Sequence, residues 1–424
     1  MAERYNSVLR YDVLAVCRTA FRTGNESNYG GGVLRDDSGT LLLRGGGIRG
    51  AMRKWVQEQA DREDFERLFG GERLRFSDGV FFPETSVNVR AGSRMDAARG
   101  VSLGGVFRME VIPAESRFRF CIIWQGQKEE TDRTAERLER LLAALDRGEI
   151  VLGGYNAQGF GRVTLEVTRR MYDLSREADR NDWLAPAAAW PEVEPDPKAV
   201  AVPLGNGGEG KTVRFRLKGR MEKVFVGGDK RGEKNVVAPF EENGRLLIPA
   251  ASVRGVIKAH AEGICRSVGV DGETVLRKMF GLGAYGRKGI RGQVICSDAA
   301  LIRPERRTGG RIWVDRTGGA RERGLVVDAV GGDVCLELSA PHEGEICALL
   351  MLTLRDLALG ICGIGANRGI GLGRLQGECL TADIPGGGRV TMSFDGEGNA
   401  TLDDPEGIAA IWMEKWREYC GHGA

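Results

Sequence analysis

The sequence predicts an α+β protein built from two tandem copies of one βαββαβ unit, each closed by a glycine-rich loop. Three observations predict it. Four landmarks occur twice, in the same order, along the 424 residues. Between them, apolar residues alternate as in strands or recur as on one helix face. Glycine supplies 63 residues, about twice its usual share, in short bursts at element junctions. The length also exceeds one ordinary core and reads as two domains.

The first landmark is an apolar strand running into an Arg-Gly step, from Leu41 to Lys54 and again from Leu246 to Lys258. The second is Leu68-Phe69-Gly70 against Met279-Phe280-Gly281, and the third Arg75-Phe76-Ser77-Asp78 against Ile295-Cys296-Ser297-Asp298. The fourth is the glycine-rich stretch Gly153 to Val163, matched without a gap by Gly365 to Leu375. A weaker pairing joins Asp96 to Asp315. Four matches in one order at a nearly constant offset mark a duplication.

Each copy opens with a strand, around Val13 to Ala20 and Val213 to Val226, where Val213, Phe215 and Leu217 alternate with polar residues. A polar, glycine-containing loop and a short apolar strand follow, and a helix opens at the Arg-Gly step. After the aromatic-Gly turn comes a strand ending in Ser-Asp. A third strand (Arg117 to Ile123, Val334 to Ser339) precedes a second helix, Thr131 to Arg147 and Glu345 to Gly360. The glycine-rich loop and a last strand close the unit. That order is the ferredoxin-like (RRM-like) arrangement, an antiparallel sheet backed by two helices. The expected domains are 1–184 and 211–400. Residues 185–210, rich in Pro, Ala, Gly and acid, read as a linker. Residues 401–424 carry a C-terminal amphipathic helix, Asp404 to Tyr419, with Ile408, Ile411, Trp412 and Trp416 on one side.

Hydrophobic residues at 42% and charged residues at 28% are those of a folded globular chain. No apolar run reaches spanning length and no basic-then-apolar signal opens the chain, so the expected place is the cytoplasm, with no membrane partner. The nine cysteines are scattered with no CxxC pair, and Cys420 with His422 lacks a second pair. Buried reduced thiols are expected, and no zinc. A net charge of +2 argues against a binder driven by bulk charge alone, but basic residues cluster beside glycines: Arg44, Arg49, Arg53 and Lys54; Arg287, Lys288 and Arg291; Arg368 and Arg374. Such clusters can hold a phosphate backbone locally.

Gly159-Phe160-Gly161-Arg162 and Gly371-Leu372-Gly373-Arg374 lack side chains where backbone must come close to backbone. Exposed N–H groups there could meet phosphate, with the arginine as a bidentate clamp. Arg368 joins the second loop. The loop follows a helix and feeds a strand, the reverse of a dinucleotide fingerprint, and no Gly-Lys-Ser/Thr completes a P-loop. Arg49, Arg53, Arg254 and Lys258 stand in the first turns of helices, where free N–H groups favour an anion and a bound phosphate would reconcile the cations. Asp78 and Asp298 read as structural turn residues, and Trp55, Trp124 and Trp313 as core. Only three histidines exist, which excludes a His-based general acid/base site in both copies. His260 reads as a core residue.

These landmarks resemble the RAMP superfamily of CRISPR-associated proteins, which includes the Csm and Cmr backbone subunits of type III effectors. Ile248-Pro249-Ala250-Ala251-Ser252-Val253-Arg254-Gly255 is similar to its helix-opening motif, with Gly45 to Gly47 replacing Pro-Ala-Ala in the first copy. The Phe-Gly turn, the Ser-Asp strand end, Val314 to Ala320, and the loop ending Gly-hydrophobic-Gly-Arg also match. The likeness covers both halves and leaves the linker and C-terminal helix outside. Its tandem form is closest to fused two-RAMP subunits of type III-D-like effectors.

The resemblance implies that the helix starts and glycine-rich loops hold guide RNA (crRNA), with target RNA and other CRISPR effector subunits as further partners. It also implies cleavage of target RNA, by 2′-OH attack with a divalent metal such as Mg2+, through an aspartate in the loop after the first strand. In the second copy that residue is Asp229. The first copy has Glu26 and no aspartate in its loop. Two rivals stand beside this: a RAMP-type guide-processing endoribonuclease, against which the absence of a histidine before His260 counts, and a non-catalytic scaffold.

Overall fold

The computed structural model describes residues 5–24, 32–59, 62–92, 107–185, 199–204, 212–224, 236–237, 240–282, 290–311, 325–365, 368 and 371–422. These form two units, the first built mainly from residues up to 208 and the second mainly from 209 onward.

In the first unit, β1 (Ser7–Cys17) buries Leu9, Tyr11, Val13, Ala15 and Cys17, and β4 (Arg117–Gly126) buries Phe118, Phe120, Ile122 and Trp124. The two strands pair antiparallel from Ser7 opposite Gly126 to Val16 opposite Arg117. Alternation therefore puts both apolar rows on one face. Two helices supply the matching apolar side of the core. α1 (Gly45–Gln57) brings Ile48, Met52 and Val56, and α2 (Thr131–Asp146) brings Leu138, Leu141, Leu142 and Leu145. β2 (Leu74–Phe76) and β3 (Gly79–Phe81) pair with β4, and β5 (Val163–Asp173) pairs with the other side of β1, all antiparallel.

The second unit repeats the plan. β6 (Thr212–Val224) lies between β9 (Leu325–Pro341) and β10 (Leu375–Asp383), and β7 (Ile295–Cys296) pairs with β9. In both units the strands of the repeat lie in the order second, third, first, fourth, which is the ferredoxin-like order. α3 (Ala250–Ser267) and α4 (Gly344–Ala358) join the core formed by Val213, Phe215, Leu217, Leu336 and Leu338. α4 is buried almost all round because the C-terminal helix α5 (Ile408–His422) packs on it through Trp412 and Trp416.

The differences from the sequence expectation have local causes. β1 begins at Ser7 rather than near Val13 because Arg10 and Asp12, on the other face of the sheet, satisfy each other at 3.0 Å. β9 is far longer than Val334–Ser339 because β8 (Ile302–Arg311) pairs antiparallel with its first half, which Val236–Val237 also joins. Gly331 and Gly332 hide this extension in the sequence. A Cβ on Gly331 would stand 2.6 Å from the Glu222 carbonyl, where the β6–β9 register shifts. Within the expected linker, Val200–Ala201 pairs with β5. After residue 385 two more strands, β11 (Arg389–Phe394) and β12 (Ala400–Asp403), extend the second sheet beyond β10. α5 starts at Ile408, and Asp404 caps it by accepting from Ile408 N and Ala409 N at 2.9 and 2.8 Å. Among the described residues no helix is long and apolar enough to cross a membrane.

Candidate nucleic-acid interface

The two first helices begin in the same way. Gly45 N donates to Asp78 Oδ1 and Ala250 N to Asp298 Oδ1, both at 2.7 Å. The positive end of each helix dipole thus meets a carboxylate of the chain itself. This corrects the expectation that a phosphate is needed to reconcile the cations at these helix starts: the anion is Asp78 in one copy and Asp298 in the other. In the first copy Arg44 lies 3.6 Å from the Asp78 carboxylate. Replacing either aspartate by alanine is expected to cost about 1 kcal/mol, read as a lower denaturant midpoint of the affected unit. An asparagine at either place should lose less.

Arg49 and Arg254 turn inward. Arg49 donates to the Phe69 carbonyl at 2.6 Å; Arg254 donates to the carbonyls of Val294 and Phe280 at 2.6 and 2.7 Å and lies over the Phe280 ring at 5.2 Å. Burial pulls the Arg254 pKa below its ordinary value. Each arginine ties its helix to the Phe-Gly turn, which explains why the two landmarks travel together. The expectation that Arg49 and Arg254 face RNA does not fit these bonds. One turn later the chemistry reverses: Arg53 and Lys54 are exposed, and Lys258 is half-buried with only a loose pair to Glu262 at 3.8 Å.

The glycines that both loops share among the described residues adopt the same conformation. Gly153, Gly159 and Gly161 have φ of 74, 81 and 87°, and Gly365, Gly371 and Gly373 have 92, 86 and 80°. Leu152 N donates to Gly161 O at 3.0 Å and Ile364 N to Gly373 O at 2.8 Å. Gly161 N donates to Ala20 O at 3.0 Å and Gly373 N to Lys223 O at 2.6 Å. A Cβ on Gly161 or Gly373 would stand 1.9 or 2.0 Å from the carbonyl oxygen of Leu152 or Ile364. These two glycines therefore close a backbone pinch behind the first strand, and their N–H groups are consumed inside the fold. That corrects the expectation that they meet phosphate. Phe160 is 3% exposed and packs with Ala20, Met109 and Val111, so its ring has a core role.

The loops still present cations. Arg368 and Arg374 are exposed, Arg162 is half-buried, and Gly371 is exposed with open space around its Cα. Asp229 lies outside the described residues, as do Trp313 and Val314 to Ala320. Trp124 is 3% exposed, and Trp55 donates to Glu149 Oε2 at 3.2 Å. At the corresponding junction of the second unit, His260 Nε2 lies 2.7 Å from Asp356 Oδ2, whose other oxygen is held by Arg355. Burial pushes the thiols of Cys347 and Cys362 up to about 12, far from reactivity at neutral pH. Among the described residues no three metal-ligating side chains gather.

Sequence reasoning found the surface cations but did not separate them from the inward arginines. The signal was available: Arg49 and Arg254 stand at the same place in the Arg-Gly landmark, one turn before Arg53 and Lys258, and each is followed by a Phe-Gly turn.

The sequence model of the RAMP superfamily matches residues 28–164 and 221–376, one stretch in each unit. No curated protein matches the chain. Among solved structures, it is similar to a chain from a cryo-EM structure of the Type III-B Cmr-beta bound to cognate target RNA. Identity is 16%, over 37% of this chain and 58% of that one, with a TM-score of 0.30. The present chain thus spans less than two thirds of that relative. The two matched stretches fall on two copies of one βαββαβ fold that share a capping aspartate, an inward arginine and a glycine pinch, and the chain belongs to the RAMP superfamily.

Proposed function

We propose that this chain is an RNA-binding backbone subunit of a CRISPR type III RNA-guided effector, gripping guide RNA through both modules and cutting target RNA through the second. The observation that carries the reading is the duplication of one superfamily module in a single chain, with solvent-accessible cations after each inward arginine. Arg53 and Lys54 follow the first inward arginine and Lys258 the second, while Arg368 and Arg374 flank the second loop. Base pairing would read the sequence while these side chains hold backbone phosphates. A net charge of +2 fits a grip that is local and aided by neighbouring subunits. The setting is the cytoplasm.

The cutting residue in this reading is Asp229. Its carboxylate would hold a divalent ion or accept the proton of the attacking 2′-OH. The ion's chemistry, when bound, is to stabilise charge on the phosphate.

Co-purification with the products of neighbouring genes, followed by sequencing of any bound RNA, tests the assembly. A bound RNA population of defined length is expected, and its absence would sink the reading. Asp229→Ala in the assembled effector is expected to abolish one cut in the target while guide binding persists; survival of every cut would refute the catalytic assignment. Alone, the chain is expected to bind single-stranded RNA weakly, with affinity falling steeply as salt rises. It is expected to leave repeat hairpins intact, and efficient hairpin cleavage would favour the guide-processing rival.

A further inference from the structure

One side chain of the first loop takes no part in the pinch. Tyr155 sits in the left-handed region at φ 60°, which is uncommon and costly for a residue with a bulky side chain. The residue is nevertheless 39% exposed, so burial does not account for the strain. The Arg22 guanidinium lies over this ring at 4.8 Å. The Phe160 ring stands 6.2 Å away, tilted by 38°, and carries the Arg90 guanidinium at 4.9 Å. The result is a pair of neighbouring rings with a cation on each, Arg22 on Tyr155 and Arg90 on Phe160, of which Phe160 is buried and Tyr155 opens to solvent. The backbone beneath is braced: Gly154 N donates to Arg22 O at 2.9 Å, and the Asn156 amide can donate to the carbonyls of Gly153 and Gly154.

An exposed ring held stiffly and backed by a guanidinium is the chemistry that takes a nucleobase face, because every base offers a π-surface and a nearby cation adds attraction to the strand. We propose that Tyr155 stacks on one unpaired base of a single-stranded RNA held by the first module, with Arg22 fixing the ring from behind. In the gap-free sequence match of the loops Tyr155 is aligned with Asn367, which lies outside the described residues and has no ring to stack. Base stacking at this position is therefore a property of the first module alone. The inference deepens the proposed RNA-binding function and rests on it.

The test uses the full chain and short single-stranded oligoadenylates carrying 2-aminopurine at successive positions. With the native chain, one position is expected to show strong quenching. Tyr155→Phe keeps the ring and should retain both affinity and quenching. Tyr155→Asn installs the residue of the second copy, which tolerates the left-handed backbone. It should bind about tenfold or more weakly, lose the quenching, and melt no lower than the native chain. Native affinity and quenching in Tyr155→Asn would overturn the stacking role while leaving the RNA-binding reading intact. Failure of the native chain to bind any of the oligonucleotides would overturn both. Equal weakening in Tyr155→Phe and Tyr155→Asn would also refute stacking, since the ring is then not what binds.

Discussion

Gly373→Ala is expected to destabilise the second unit by roughly 4 kcal/mol or more, among the largest single-residue effects a domain shows. Two costs combine. An alanine at φ 80° carries a left-handed penalty of about 1–2 kcal/mol. Its Cβ would also stand 2.0 Å from the Ile364 carbonyl oxygen, which is rigid backbone rather than a movable side-chain end. Relief of that overlap breaks the Ile364–Gly373 pairing and the bond from Gly373 N to Lys223 O. For a unit of this size the melting temperature should fall by roughly 10 °C. Gly161→Ala should act alike on the first unit, because its Cβ would meet Leu152 O at 1.9 Å.

Gly371→Ala supplies the control. Its φ of 86° is equally left-handed, yet nothing lies within 4 Å of an added Cβ. Only the conformational penalty remains, about 1–2 kcal/mol. Scanning calorimetry of the three variants should therefore separate close approach from backbone strain. Equal losses at Gly371 and Gly373 would mean that the pinch contributes nothing beyond strain.

These glycines show how far the sequence carries. The duplication, the order of elements and the ferredoxin-like topology are legible because strand alternation around Phe118–Trp124 and Val213–Leu217, and helix spacing at Ile48, Met52 and Val56, follow directly from burial on one face. The position of each loop is legible too, since only glycine accepts those angles. The partner of each backbone group is not, because it depends on which strand end returns to meet the loop. The same limit applies at the helix starts. A cation beside a helix N-terminus signals an anion, but the sequence does not reveal that the anion is Asp78 or Asp298, dozens of residues away. Tyr155 is invisible for another reason: it adopts a left-handed φ that nothing in its own residue type announces.

The second large effect is expected at Arg254. Arg254→Met preserves length and apolar bulk but removes the fork that serves the carbonyls of Val294 and Phe280 at 2.6 and 2.7 Å. Those two residues are 0 and 7% exposed, so water cannot easily replace the lost donors. Each buried acceptor left unpaired costs about 1–3 kcal/mol, giving roughly 3 kcal/mol for the pair. Arg254→Lys should fail to rescue it, because one ammonium cannot reproduce a planar fork aimed at two acceptors. Lys258, one turn further along α3, should behave oppositely. Lys258→Ala is expected to change stability by less than about 0.5 kcal/mol while weakening single-stranded RNA binding and reducing its salt dependence by about one phosphate contact. Arg53→Ala should match it in the first unit. The contrast between adjacent turns decides what the Arg-Gly landmark is for. Weaker RNA binding by Arg254→Met at unchanged stability would make it a phosphate contact. A large loss of stability with native affinity in the folded fraction makes it the bolt that fastens the first helix to the Phe-Gly turn, presenting the outward cations of the next turn in register.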